Sequence, residues 1–256
     1  MAAIVNPLDL DGKHILVTGA SSGIGREVAI LLSRLGARLI ITGRNSERLQ
    51  STVALLHGSD HVVAPFDLAH LDDIPKWIKA LTKSHGALNG LAHCAGQQIS
   101  KPIKMVNADF INKLTQVNIS AGLLLARGFR QKGCFVPGGA IVFIASASSL
   151  VGQATNAVYC ATKGGIVMAA RALAVELAAS DIRVNCISPA MVETEMLDRF
   201  KAILTADRFE ELKKGHPLGL GRPEDVANAV AYLLAETGRW ISGTNLLLDG
   251  GALAGG

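Results

Sequence analysis

Along the chain, short apolar runs alternate with longer stretches in which apolar positions recur every three or four residues. The short runs are His14–Val17, Arg38–Thr42, His61–Pro65, Leu88–His93, Ala140–Ala145, Ile182–Ile187 and Asn245–Leu248, and each predicts a strand. Between them Ile24–Leu35, Glu47–His57, Leu71–Ser84 and Glu224–Ala235 carry the helical period. Strands that are apolar on both faces and separated by helices predict a parallel sheet covered on both sides. Right-handed crossovers then give an α/β, doubly wound sheet of seven parallel strands, with its ligand crevice at the strands' carboxyl ends. No internal repeat, low-complexity tract or Pro/Ser-rich linker divides the sequence, so residues 1–256 read as one domain.

Three segments depart from this rhythm. From about Ala190 to Pro217, Met191, Met196, Phe200 and Phe209 stand among charges, ahead of a helix opened by Pro223-Glu224-Asp225. That pattern predicts one or two short helices, either a lid over the crevice or an ordinary surface pair. Asn107–Gly128 and Tyr159–Ala178 are helical patterns rich in small and apolar residues on several faces. Helices of that kind are buried, within one subunit or against copies of it.

Composition narrows the function classes. Apolar residues make up 49% and charged residues 18%, which excludes intrinsic disorder. The excess of 25 basic over 21 acidic residues is too small and scattered to suggest nucleic acid. Cys94, Cys134, Cys160 and Cys186 form no C-x-x-C pair and read as reduced core residues of a reducing compartment. The histidines are dispersed without an H-E-x-x-H, so no metal site is expected. The amino-terminal residues lack the basic and apolar regions of a secretion signal. No apolar run approaches the roughly 18 residues of a membrane span. A cytoplasmic location without a membrane partner is the expectation.

The first strand runs into Thr18-Gly19-Ala20-Ser21-Ser22-Gly23-Ile24-Gly25. Glycines there permit a tight turn and close backbone approach, and the helix that follows offers unpaired N–H groups to a pyrophosphate. The spacing is G-x-x-x-G-x-G without a Gly-Lys-Ser/Thr, which disfavours a phosphate-hydrolysing loop. Downstream, Tyr159 and Lys163 lie four residues apart on one helix face, so an ammonium can approach a phenol. A free tyrosine titrates near 10, and acid/base work near neutrality calls for a cation to lower it. Ser146 ends a strand between the two motifs.

In these residues the chain resembles the short-chain dehydrogenase/reductase family, a Rossmann-type fold, from Gly12 to Gly251. The matching features are Thr18–Gly25, Asp67 after the third strand, Ala95-Gly96 after the fourth, Asn118, Ser146, Tyr159, Lys163, Ser188-Pro189 with Thr194, and Asp249-Gly250-Gly251. The resemblance implies a nicotinamide-dependent oxidoreductase in which Tyr159 is the general acid/base and Lys163 lowers its pKa and holds the nicotinamide ribose. Ser146 would bond the reacting oxygen, and Asn118 would hold a water linking Lys163 to solvent. Gly19, Ser21, Ser22, Gly23, Ile24 and Gly25 would cradle the dinucleotide, with Asp67 and Leu68 at the adenine. Ala95, Gly96, Pro189, Val192 and Thr194 would line the rest of the cofactor site.

Family members that use NAD usually carry an acid where Gly43 falls; here Arg44 and Asn45 follow instead, which favours NADP without excluding NAD. Two positions break the pattern: Cys94 replaces an asparagine that ties strands together, and Ala190 replaces a glycine. The overall pattern is most similar to 3-oxoacyl-(acyl-carrier-protein) reductases, which implies a small carbonyl or alcohol substrate and a carrier-protein partner. The helix carrying Lys163 ends in Ala178-Ala179-Ser180-Asp181, a poor surface for an anionic partner, whereas Arg127, Arg130 and Lys132 cluster elsewhere. Polar candidates for the substrate pocket, Gln97, Gln98, Ser148 and Gln153, also suit a sugar, a polyol or another hydroxylated ketone. A non-catalytic nucleotide-binding regulator is the alternative from another class. Relatives are commonly dimers or tetramers, and the apolar helices point to a homotetramer.

Overall fold

The computed structural model describes residues 6–201 and 205–254. Positions 202–204 of the expected lid and the side chain of Phe200 lie outside the described residues. Seven strands form one parallel sheet: β1 (His14–Thr18), β2 (Arg38–Thr42), β3 (Val62–Val63), β4 (Leu88–His93), β5 (Phe135–Ile144), β6 (Ile182–Pro189) and β7 (Asn245–Leu248). Their order is β3-β2-β1-β4-β5-β6-β7, so the winding reverses between β1 and β4. The crevice of a doubly wound sheet opens at that reversal.

The helices are α1 (Gly23–Arg34), α2 (Ser46–Val53), α3 (Ile74–His85), α4 (Ala108–Thr115), α5 (Ala121–Phe129), α6 (Ala157–Leu177), α7 (Glu195–Lys201), α8 (Ala206–Lys214) and α9 (Pro223–Leu234). On one face, Val28 and Leu32 of α1 and Val226 and Val230 of α9 pack on Val17, Ile41 and Val142 of the sheet. On the other, Ile78 of α3, Phe129 of α5 and Ile166 of α6 pack on Leu91, Ile141 and Phe143. Alternate residues of each central strand thus enter opposite cores, the reason their sequence reads as near-continuous apolar runs.

Several element bounds differ from the sequence expectation. The third strand is shorter than His61–Pro65, although Ala64 and Phe66 still donate to Ile41 O and Gly43 O. Pro65 has no N–H to donate, which is tolerated at this sheet edge. The fifth strand starts five residues early, at Phe135, because an irregularity around Pro137-Gly138 lets Leu88 pair with Phe135 and Gly90 with Ala140. The helix expected to reach His57 stops at Val53, and Leu71–Asp73 is a 3-10 turn ahead of α3. Asn107–Gly128 is not one α-helix: α4 and α5 are joined by a π-helical turn, Gln116–Ser120.

The helix α6 with its 3-10 extension to Ser180 is, among the described residues, the one long and apolar enough by composition to cross a membrane. It packs against β6 and holds Tyr159, Thr162 and Lys163 inside the fold. One side of the helix is thus buried, while Met168 and Val175 on the other stay exposed.

Candidate active site

The glycine turn joins β1 to α1, and its geometry excludes side chains at two points. Gly19 has φ +68°, and a Cβ there would lie 2.8 Å from Ala95 N. A Cβ on Gly25 would lie 2.3 Å from Gly19 O. The turn is therefore pressed against the loop after β4 and against itself, as close backbone packing demands. Ser22 is extended before α1 and makes no side-chain cap, and no acidic residue occupies the first turn of that helix. Its N–H groups are left for an anion. Arg26 Nη2 donates to Ser21 O at 2.7 Å, fixing the turn from within. Ile24, in the first turn of α1, packs against the core.

Around this turn stand the other residues expected at a dinucleotide. At the end of β2, Gly43 faces Ser21. Arg44 is exposed and pairs with no carboxylate among the described residues, and Asn45 Oδ1 caps α2 by accepting from Arg48 N at 2.9 Å. Asp67 Oδ1 accepts from Ala69 N at 3.0 Å, a local turn, while Leu68 packs on the core. Ala95 N donates to Thr18 Oγ1 at 3.3 Å, which draws the loop after β4 against β1. Beyond Pro189, Val192 bridges to Gly221, and Thr194 leans on Gly23, where a Cβ would meet Thr194 Cγ2 at 3.3 Å. A polar cleft of about 450 Å³ lies between this turn and α7, lined by Gly23, Arg26, Thr194, Glu195 and Leu197.

Next to it, Ser146 follows β5, and Tyr159 and Lys163 lie one helical turn apart on α6. Tyr159 is buried, and the Ser146 side chain stands close enough to its hydroxyl to act on its titration. Ser146 Oγ accepts from Ser148 N at 3.2 Å, so its own hydrogen remains for another acceptor. Lys163 is 5% exposed and donates to Ile144 O at 2.8 Å. Desolvation lowers its pKa to about 8, so it keeps its proton at neutral pH. A Cβ on Gly96 would stand 3.4 Å from both Lys163 Nζ and Asn118 Oδ1. The absence of one leaves a gap beside the ammonium.

Tyr159 differs from the expectation of a phenol lowered by its lysine. Burial raises its pKa, and the Ser146 hydrogen bond opposes that rise. Lys163 is turned toward Ile144 O, with its ammonium 5.8 Å from the Tyr159 ring centroid. The side chain of Asn118 is likewise engaged: Oδ1 accepts from Gln97 N at 2.9 Å, and Nδ2 donates to Gln97 O and Thr162 Oγ1.

Of the polar pocket candidates, Gln97 holds its Oε1 buried and without a partner, which a ligand's donor would satisfy. Ser148 is buried and Gln153 is exposed; Ser148 Oγ donates to Gln153 Oε1 at 3.1 Å. Both are thus engaged with each other inside one loop. Two residues next to the site escaped the sequence reading. His93 is fully buried with Nδ1 2.7 Å from Thr18 Oγ1 and Nε2 unpartnered, and desolvation lowers its pKa to about 3. Asn156 is also buried, just before α6. A histidine inside a strand and an asparagine in a loop carry no local signal of such roles.

Residues 19–252 match the family profile described as enoyl-(acyl carrier protein) reductase. The chain is a short-chain dehydrogenase/reductase. It is 34% identical over 248 residues to the 3-oxoacyl-(acyl-carrier-protein) reductase of Rickettsia felis, covering 96% of this chain and 99% of that protein. It is 32% identical to the 5-keto-D-gluconate 5-reductase of Escherichia coli K12, covering 95% and 96%. A solved short-chain dehydrogenase/reductase from Brucella melitensis, described as a glucose/ribitol dehydrogenase, superposes with TM-score 0.88 at 29% identity, covering 95% and 98%. As a short-chain dehydrogenase/reductase the protein is a nicotinamide-dependent oxidoreductase with a seven-stranded parallel sheet.

Proposed function

We propose that this protein is an NADP-dependent ketoreductase of the 3-oxoacyl type. The convergence of Ser146, Tyr159 and Lys163 beside a glycine turn too tight for side chains carries the reading. Gly19, Ser21, Ser22 and Gly23 would hold the pyrophosphate, and the gap at Gly96 beside Lys163 suits the nicotinamide ribose. Hydride transfer is the chemistry that the nicotinamide supplies when bound. Tyr159 holds at its hydroxyl the proton that the reacting oxygen takes up. Ser146 donates its free hydrogen to that oxygen, stabilising the negative charge that builds there. The positive charge of Lys163, kept inside the fold, favours the phenolate left behind.

For the cofactor, Gly43 puts no carboxylate at the end of β2, and exposed Arg44 is free to hold a 2′-phosphate with charge-assisted hydrogen bonds. For the substrate, the loops after β4 and β5 expose Ile99, Ile103, Met105, Leu150 and Val151, and Leu218 lies beyond α8. Apolar side chains exposed at the crevice edge favour an acyl chain. A second reading, reduction of a hydroxylated ketone such as a keto-sugar acid, is favoured by the unpartnered Gln97 Oε1.

The described elements share one sheet, which supports a single domain with α7 and α8 as its lid. Arg26 and Glu195, 3.9 Å apart, would help hold the lid on the glycine turn. Met168 and Val175 are 60% and 81% exposed on α6. Leu173 and Glu176 of the same helix line a groove of about 360 Å³ with Leu123, Arg127 and Arg130; the exposed apolar side chains support a homotetramer, and the arginines a surface for a carrier protein. Its four free thiols suit the cytoplasm.

Calorimetric titration with NADPH and NADH, followed by a ketone panel, tests the reading. NADPH should bind at least about tenfold more tightly, or about 1.4 kcal/mol, and Tyr159→Phe should abolish turnover with nucleotide binding intact. Full activity of Y159F would reject the mechanism, and binding of neither nucleotide would revive the regulator.

A further inference from the structure

The loops that follow β4 and β5 are joined by a chain of side-chain hydrogen bonds that ends on Ser146. Ser100 Oγ donates to Asn156 Oδ1 at 2.8 Å. Asn156 Nδ2 donates to Gln153 Oε1 at 3.1 Å, and the same oxygen accepts from Ser148 Oγ at 3.1 Å. The backbone N–H of Ser148 donates in turn to Ser146 Oγ, and the Ser146 side chain is the group that acts on Tyr159.

The chain has a defined frame. Asn156 is 8% exposed and stands where a helix cap would stand, yet its side chain does not cap α6. Both ends of its amide turn instead to the two loops. The residue before it, Thr155, has φ +68°, a conformation that β-branched residues rarely adopt. That turn is held from both sides, because Thr155 O accepts from Lys101 N at 2.7 Å and Gln153 O accepts from Asn156 N at 3.1 Å. A strained turn persists only where its surroundings over-determine it. Here the surroundings are the loop after β4 on one side and the Ser146 loop on the other.

We propose that Asn156 and Gln153 are positioning residues that hold the Ser146 loop in register with the amino end of α6, and so set the approach of the Ser146 hydroxyl to Tyr159. The proposal rests on reading Ser146 and Tyr159 as the groups that act on the substrate oxygen. Gln153 supplies one acceptor to two donors, and without it the buried Asn156 amide and the Ser148 hydroxyl both lose their partner. Ser148 is then free to leave Ser146, whose hydroxyl loses its fixed direction.

The chain holds two tyrosines, and Tyr232 lies on α9, partly exposed. In a Tyr232→Phe background, the ultraviolet difference spectrum therefore reports the titration of Tyr159 alone. Gln153→Ala should lower kcat about tenfold or more while leaving the NADPH Kd within about twofold. It should also move the Tyr159 titration to higher pH, because the Ser146 bond that opposes the effect of burial is weakened. Gln153→Glu keeps an acceptor for both donors at an exposed position, where its charge is screened, and should restore kcat to within about threefold. Ser100→Ala, which cuts only the far end of the chain, should shift both readouts in the same direction by less.

An unmoved Tyr159 titration in Q153A would overturn the proposal, as would Q153E behaving no better than Q153A. A fall in kcat matched by equal loss of nucleotide affinity would show general loosening, and would overturn it too. If the unaltered protein reduced no carbonyl, the functional reading would fail, and the titration would still decide whether the network positions Ser146 against Tyr159.

Discussion

Replacing the buried imidazole of His93 by the amide of asparagine should flatten the response of stability to acid. His93 lies wholly inside the fold, edge-on to Phe143 with ring centroids 6.0 Å apart, and takes up a proton there only near pH 3. In the unfolded chain the same ring titrates near its ordinary value of about 6.5. Between these values the unfolded state binds a proton that the native state does not, so stability is full above about pH 6.5 and declines as the pH falls. At pH 5 the loss relative to pH 7 is about 2 kcal/mol, and any native value below about 4 gives nearly the same figure. For a chain of this size that corresponds to a Tm about 4–8 °C lower. Thermal unfolding at pH 7, 6 and 5, at one protein concentration, should therefore show a steeper acid decline in the unaltered protein than in H93N. His14, with its lowered pKa, and Glu27, with its raised one, are present in both proteins, so their effects cancel in the comparison. Parallel declines would refute the reasoning, since they would mean that protonating His93 does not oppose the fold. Should H93N fail to fold, His93→Gln serves the same comparison.

Other substitutions probe the nucleotide cradle and the outer face of α6. Gly25→Ala puts a Cβ 2.3 Å from Gly19 O and should abolish nucleotide binding by calorimetry, with circular dichroism reporting whether the fold survives. Arg44→Asp should reverse the preference for NADPH over NADH by about tenfold or more, read from the two Kd values. Val175→Glu introduces a charge on an exposed apolar position of α6 and should shift sedimentation toward a smaller species without loss of helix content.

The sheet was legible because its strands are buried on both faces, which leaves an unbroken apolar signal at positions 140–144 and a largely apolar one in the other central strands. The glycine turn was legible because backbone-on-backbone contact at Gly19 and Gly25 tolerates no other residue type. Tyr159 and Lys163 could be paired from spacing alone, since one helical turn brings them together. What spacing could not show was where the lysine turns: the partner it finds, Ile144 O, belongs to a different element. The same limit hid the roles of Asn156 and Ser100, which stand 56 positions apart in the chain and meet only in the folded protein. His93 was hidden for a different reason, because a polar residue at a strand end usually faces solvent, and here α5 and α6 close over it.

The π-helical turn at Gln116–Ser120 changes how the stretch from Asn107 to Gly128 must be drawn on a helical wheel. Such a turn holds one residue more than an α-turn, so everything after it is rotated by about 100° relative to an uninterrupted helix. On an uninterrupted wheel Leu114, Asn118, Ala121, Leu125 and Phe129 would share one face, and the turn instead directs the α4 and α5 parts of that stripe to different neighbours. The buried stripe of α5, formed by Ala121, Leu125 and Phe129, follows its own phase rather than continuing that of Leu114 on α4. Deleting one residue from the turn would close it into an α-turn and leave the faces of α4 and α5 where they are, while displacing Asn118 from Gln97 and Thr162. A one-residue deletion here is therefore the removal of a bulge, with both halves left facing their own neighbours.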